Sequence, residues 1–424
     1  MAQQTTIDAR ILGACYLSEQ AIISAAGTER RCFPVTGSVE LDLQQAELER
    51  GQLRPKAWDR AAPVKGLKSA TCRARFYLQP ATTVLTSSAT PDADAAAPIR
   101  IPLRCIMGGE SVAAGSTIPA GTYSTTSFDV ATGHGARFPA GQLVLVDQAG
   151  GGGTEDLVPC RVTSRAADTL TVWPALANAP DVGSLRIINS YTFYPTTVNT
   201  RMLSLALAAA QGTGLQWRLL GGTGSFEITF ERGALLEMGV DLTFATHQGP
   251  EDLSLSTATV ADPMAEPLST RGAKMYLQPQ GTTTRTCFHV DSFKLTVNAG
   301  MQHIESLTCG TEGYSGVARV ENLAEHFAEV EVTFPVDLDF DSTYWADRTE
   351  LGMMLFVPAD VGAERRGTLV DGPRMIVVGK PRIAPAGNNL CRMTVTLRTM
   401  RDDTTSGTFD VTELAEAPLR IANF

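Results

Sequence analysis

The sequence predicts a mostly β protein: two tandem antiparallel β-sandwich or barrel folds with few short helices, plus a small inserted β-module. Three observations carry that expectation. Apolar and polar residues alternate at period two in run after run, the runs recur in the same order in both halves, and Gly- and Pro-rich turns separate them.

The alternation begins in Ser38-Val39-Glu40-Leu41-Asp42-Leu43 and continues in Thr71 to Leu78 and Ser225-Phe226-Glu227-Ile228-Thr229-Phe230. It returns in Phe293 to Val297, Ala328 to Phe334 and Cys391 to Arg398. Such runs bury one sheet face and leave the other polar. Leu203 to Gln211 and Ala318 to His326 are the best short helical candidates, and Gly212-Thr-Gly and Gly221-Gly-Thr-Gly break anything longer.

A repeat joins the two halves. Arg31 to Leu43 aligns with Thr286 to Val297 with one gap; Ala74 to Leu78 then aligns with Val332 to Val336, and Leu203 to Leu207 with Gly352 to Phe356. The runs Phe226 to Phe230 and Met238 to Phe244 face Met375 to Val378 and Leu390 to Leu397. Tyr77-Leu78-Gln79-Pro80 recurs as Tyr276-Leu277-Gln278-Pro279 at another offset, and reads as coincidence. Between parts of the first copy stand four short strand-like runs, near 138–147, 158–163, 169–173 and 183–188, with Gly150 to Gly153 as a hairpin tip. The expected division is a first fold over 1–127 and 191–262, an inserted barrel-like module over 128–190, and a second fold over 263–424. Thr82 to Pro98 has the composition of a surface loop.

Composition sets the limits on function. With 424 residues, 43% apolar and 19% charged, the chain can bury large cores. Its formal charge of −10 offers no basic surface for gripping phosphates. No apolar run is long enough for a membrane-spanning helix, and no secretory signal is legible at the N-terminus. Eight cysteines without CxxC spacing read as reduced core residues. Five histidines form no metal-ligand spacing, no Gly-x-Ser-x-Gly elbow occurs, and the carboxylate pairs at i, i+2 read as a solvated strand face. The expectation is therefore no enzyme and no cofactor. Between Glu321 and Glu350 nine acids meet one base, a net −8 within thirty residues. Glu329, Glu331, Asp337, Asp339 and Asp341 lie inside that stretch; ordinary solvation is its plain explanation, and a surface that repels a polyanion the sharper one.

Phe288 to Gly300, Gly310-Thr-Glu-Gly313-Tyr314-Ser-Gly316-Val317, Glu325 to Phe340 and Leu351 to Leu355 together resemble the tail tube (major tail) protein of long-tailed bacteriophages. The first copy is similar in outline, closing on Gly224 to Gly233. The resemblance implies a virion protein, assembled in the host cytoplasm, that self-associates in rings and stacked rings and meets other tail proteins. Genomic DNA would pass through without specific binding and no membrane would be involved. A single-copy member forms a six-membered ring, so a duplicated chain would complete a pseudo-hexamer with three subunits. The five acidic residues would then belong to the lumen or an interface. The competing expectations are a β-rich carbohydrate-binding or degrading tail module, or a terminator or baseplate-proximal component of the same fold.

Overall fold

In the computed structural model, alternation becomes strand wherever one face can be buried. The structure describes residues 8–17, 31–33, 36, 39–48, 64–80, 99–148, 156–196, 201–210, 214–253, 267–280, 282, 287–298, 300–305, 314–319, 327–336, 340–359, 366–386, 390–402 and 413–424. It is mostly β, with antiparallel sheets and a half-barrel. The first half opens with β1 (Asp8–Leu17), β2 (Arg31–Phe33), β3 (Glu40–Leu48) and β4 (Val64–Tyr77), then helix α1 (Arg100–Met107) and β5 (Gly108–Ala113). Six short strands follow: β6 (Ser116–Ile118), β7 (Ser127–Asp129), β8 (Leu143–Gln148), β9 (Asp156–Ala166), β10 (Thr169–Trp173) and β11 (Gly183–Ile187). The half closes with β12 (Ser190–Pro195), β13 (Arg201–Ala210), β14 (Gly214–Glu231) and β15 (Glu237–Leu253).

The second half runs β16 (Lys274–Pro279), β17 (Cys287–Phe288), β18 (Ser292–Asn298), β19 (Met301–Glu305), β20 (Tyr314–Arg319) and β21 (Ala328–Pro335). After a π turn over Phe340–Trp345 come β22 (Leu351–Pro358), β23 (Gly367–Ala386), β24 (Leu390–Thr399), helix α2 (Glu413–Glu416) and β25 (Arg420–Asn423).

The strand pairings of the two halves repeat. In the first, neighbours run β2–β1–β13–β14–β15–β4–β3, all antiparallel. In the second they run β17–β16–β22–β23–β24–β21–β18, again antiparallel. Even an irregularity repeats: the register shifts between Leu203 and Leu205 in β13 and between Leu351 and Met353 in β22. That shared bulge, together with Ile11 opposite Leu207 and Met275 opposite Leu355, matches Leu203 to Leu351, one residue away from the alignment expected from sequence. The slip was invisible there because β22 is buried along its whole length, so alternation gives no phase. The repeated Tyr-Leu-Gln-Pro tetrapeptide begins on the last residue of β4 but lies within β16, so its two occurrences are not equivalent positions.

Of the helical candidate Leu203 to Gln211, residues 203–210 belong to strand β13, because the runs of Leu and Ala pair on both sides, with β1 and β14; Gln211 lies outside the described residues. Ala318 and Arg319 of the other candidate belong to β20, and its remainder lies outside the described residues, as do the Thr82 to Pro98 loop and Gly150 to Gly153.

One apolar core runs through both halves, from Cys72, Phe76, Phe226 and Ile228 to Leu295, Val330, Val332 and Leu397. The six short strands form their own sheet, in the order β6–β11–β8–β9–β10–β7, over a separate core that includes Phe128, Phe138, Val146 and Leu170. Although threaded through the first half, this sheet packs on the second: Leu145, Leu157 and Trp173 join Tyr276, Met354, Phe356 and Phe424 in one cluster. A side chain at Gly352 would come within 2.6 Å of the Trp173 ring, so glycine is what lets the indole lie against β22. The Trp173 indole donates to the Thr282 carbonyl at 3.0 Å.

A buried charge cluster ties the same contact. Arg161 donates to both Asp371 oxygens at 2.9 and 3.0 Å while its guanidinium lies 4.8 Å from the Trp173 ring centroid. Arg420 donates to Asp371 at 3.0 Å, to Asp402 at 3.2 Å, and to the Leu414 and Ala415 carbonyls. Burial pushes the Arg420 pKa down, opposed chiefly by Asp371. Asp371→Ala would leave the buried Arg161 without its carboxylate and Arg420 with Asp402 as its one remaining acid, and should destabilise the fold by ~3–5 kcal/mol, measured by denaturant unfolding.

The expectation of uniformly reduced cysteines is corrected at Cys105, on α1, which is disulfide-bonded. Pairing depends on which segments the fold brings within about 6 Å between Cα atoms, and sequence spacing does not report that. Cys72 and Cys160 are free and buried, whereas Cys287 and Cys391 are free and exposed. Burial, assisted by Asp241, pushes the Cys72 thiol up to about 12. Thiol-alkylating reagent at pH 8 should therefore modify Cys287 and Cys391 in the native protein, and Cys72 and Cys160 only after denaturation, as peptide mass spectrometry would show. Above about pH 9 the unfolded Cys72 thiol loses its proton before the folded one does, so this group lowers stability as pH rises.

Candidate assembly interface

Equivalent parts of the two halves share one continuous sheet. The C-terminal part of β14, Ser225 to Glu231, pairs along its second edge with β18 of the other half, Ile228 lying opposite Leu295. The sheet thus runs β3–β4–β15–β14–β18–β21–β24–β23, four strands from each half. β14 reaches both β13 and β18 because it changes partner near Gly221, whose φ of 68° is one that glycine readily adopts. At Gly224, opposite Leu242 in β15, a Cβ would stand 2.0 Å from the Asp241 carbonyl oxygen, so the two strands approach this closely only around glycine.

One face of this sheet is core, and the other is polar. Over β3, β4, β15 and β14 the polar face is hollowed into a groove of about 740 Å3. Ion pairs cross the polar face: Arg73 with Asp241 at 2.9 Å and Arg75 with Glu227 at 3.7 Å in the groove, Lys294 with Glu227 at 2.9 Å at the joint between the halves, and Arg398 with Glu329 at 2.9 Å on the second half. Arg75 reaches Glu227 over the strand between them because Gly239 stands there without a side chain.

The charges reverse sign between equivalent positions. Through the pairings, Glu40 corresponds to Lys294, Arg73 to Glu331, and Glu227 to Arg382. Glu40 stands directly opposite Arg73 and Lys294 directly opposite Glu331, so each half keeps complementary charges with the polarity exchanged.

Glu329 and Glu331, expected from sequence to line a lumen or interface, lie together on this polar face in β21, half-buried and exposed respectively. Asp337 and Asp339 lie outside the described residues; Asp341 is in the π turn, apart from the sheet. The acidity of that stretch of sequence is not the character of the face, since Arg73, Arg75, Lys294, Arg392 and Arg398 enter it from other strands. Lys294, Arg73 and Arg382, which together with the acids set its polarity, were not singled out from sequence. The signal present was their place at alternate positions of the repeated strands.

The outer edges of the sheet are β3 at one end and residues 382–386 of β23 at the other. Among the described residues, β3 pairs only with β4, and this part of β23 only with β24. Among the described residues no cluster of three or more His, Cys, Asp or Glu could hold a metal ion, and no helix is long and apolar enough to cross a membrane. No protein-family model matches the sequence, and no curated protein does.

Lys294→Glu would place like charges beside Glu227 and opposite Glu331. Because these groups are partly exposed, the cost should be modest, roughly 0.5–1 kcal/mol, and should shrink in high salt. Urea unfolding at two ionic strengths would measure it, with Lys294→Met as the uncharged control.

Proposed function

We propose that this chain is a structural subunit of a phage-type tail tube, assembling into rings that stack around a hollow bore through which DNA passes. The observation that carries the reading is the shared sheet: a fold repeated in tandem, joined edge to edge, with the same two kinds of edge open at its ends. An arrangement of that kind is completed by further copies, and heterologous contacts that return on themselves make a ring.

Barrel geometry favours several chains. Eight strands close on an interior that their own side chains fill, while 16–18 leave a water-filled channel. Three chains would bring roughly 24 strands, and at ~4.8 Å between strands and ~40° tilt the backbone circle would measure about 48 Å across. The polar face would then point inward and the apolar core outward. Its arginines and lysine are interleaved with carboxylates and largely paired with them, which leaves little unbalanced positive charge to hold phosphates as DNA moves past. The six-stranded module, packed on the β16–β22–β23 side, would lie away from the bore.

Negative-stain electron microscopy of the purified protein tests this reading. Rings or tubes with a central hole, and a smallest ring of three chains by mass photometry, are the expected result. Compact monomers at every concentration would overturn it.

A further inference from the structure

We infer that the exposed end of β23 is a docking strand for β3 of a second copy of this chain, in the register that β14 and β18 already use within one chain. The inference deepens the ring reading and rests on it for its setting, but it names particular residues.

The equivalences fix the register. Met238 lies opposite both Phe76 and Ile228, and Met393 opposite both Phe334 and Ile383, so Ile228 corresponds to Ile383. Leu41 lies opposite Cys72 as Leu295 lies opposite Val330, so Leu295 corresponds to Leu41. Within the chain, Ile228 faces Leu295 and Glu227 faces Thr296. Between chains, Ile383 would therefore face Leu41, Arg382 would face Asp42, and Ala384 would face Glu40.

Burial supports the match. Ile228 is 1% exposed in the internal joint, whereas Ile383 is 54% exposed, one of the large apolar side chains that face solvent among the described residues. Leu41 and Leu43 are only partly buried, while Leu295 and Val297 at the equivalent positions are fully buried. Covering Ile383 would remove its apolar surface from water, a favourable change.

Charge selects the partner. In the internal joint Glu227 pairs with Lys294, diagonally across the two strands. At the outer seam Arg382 would meet Asp42 directly and Glu40 on the same diagonal. Arg382 is exposed, with no acidic partner among the described residues; Asp42 accepts a hydrogen bond from Gln44 at 2.7 Å. The reversed polarity also penalises wrong pairings: β14 against β3 would oppose Glu227 and Glu40, and β23 against β18 would oppose Arg382 and Lys294. Like charges across strands are destabilising, so first and second halves must alternate around the assembly.

Pro381 and Pro385 flank Ile383 and supply no N–H to a partner strand. They thin the backbone ladder and discourage indiscriminate edge pairing, leaving the side chains of Arg382 and Ile383 to decide which strand docks.

The test uses charge exchange. Arg382→Glu should raise the concentration needed for assembly by ~10-fold or more, since like charges would then face each other across the seam. The triple variant Arg382→Glu, Glu40→Lys, Asp42→Lys should bring it back toward wild type. Separately, Asp42→Cys with Arg382→Cys should give an interchain disulfide under mild oxidation, located by mass spectrometry of the linked peptides. If wild type assembles while Arg382→Glu assembles equally well and the cysteine pair yields no linked peptide, this seam is wrong and the tube reading stands on another contact. If the pair links chains into dimers or open filaments without rings, the seam holds and the tube reading fails. A wild-type protein that is monomeric throughout and never cross-links overturns both.

Discussion

The pairing of β14 with β18 is the contact on which the rest of the architecture depends. It turns two copies of one fold into a single sheet, makes their cores continuous, and among the described residues leaves one edge of each kind open. Backbone hydrogen bonds supply its regularity, but they would form equally well with many strands. What makes the contact particular is the apolar stack of Ile228 on Leu295 and the ion pair between Glu227 and Lys294.

A duplicated fold faces a problem of identity, because equivalent edges compete for the same partners. The polarity exchange at Glu40 and Lys294, Arg73 and Glu331, and Glu227 and Arg382 resolves it. Each half remains complementary within itself, and only unlike halves are complementary to each other. Each such exposed pair contributes little stability, roughly 0.2–1 kcal/mol. Their effect is on selection, where a wrong pairing sets like charges against each other.

The halves have also diverged where they do not meet. The second carries the contact with the six-stranded sheet through Trp173 over Gly352 and Asp371 between Arg161 and Arg420. The position in the first half that corresponds to Asp371 is Arg218, by the shared bulge. That buried cluster holds the module and the β25 strand to the second half, while the polar face of the shared sheet is left clear on the opposite side of the core.

Strands β3, β4, β14, β18, β21 and β24 were legible in the sequence because each has one buried and one wet face, and a period of two follows from that alone. The repeat was legible for the same reason, since its alternating runs recur in order. Where both faces are buried, as in β22, or where alanine and leucine fill a strand paired on both sides, as in β13, the pattern carries no phase. There the alignment slipped by one residue or the strand read as helix. Glu329 and Glu331 could be placed on one face, but not with Arg398 and Lys294, which come from other strands. The disulfide at Cys105, the salt bridges across the polar face and the identity of the open edges are likewise facts of tertiary neighbourhood. Alternation is a local property of the chain, written residue by residue, whereas partnership depends on which distant strands the core brings side by side.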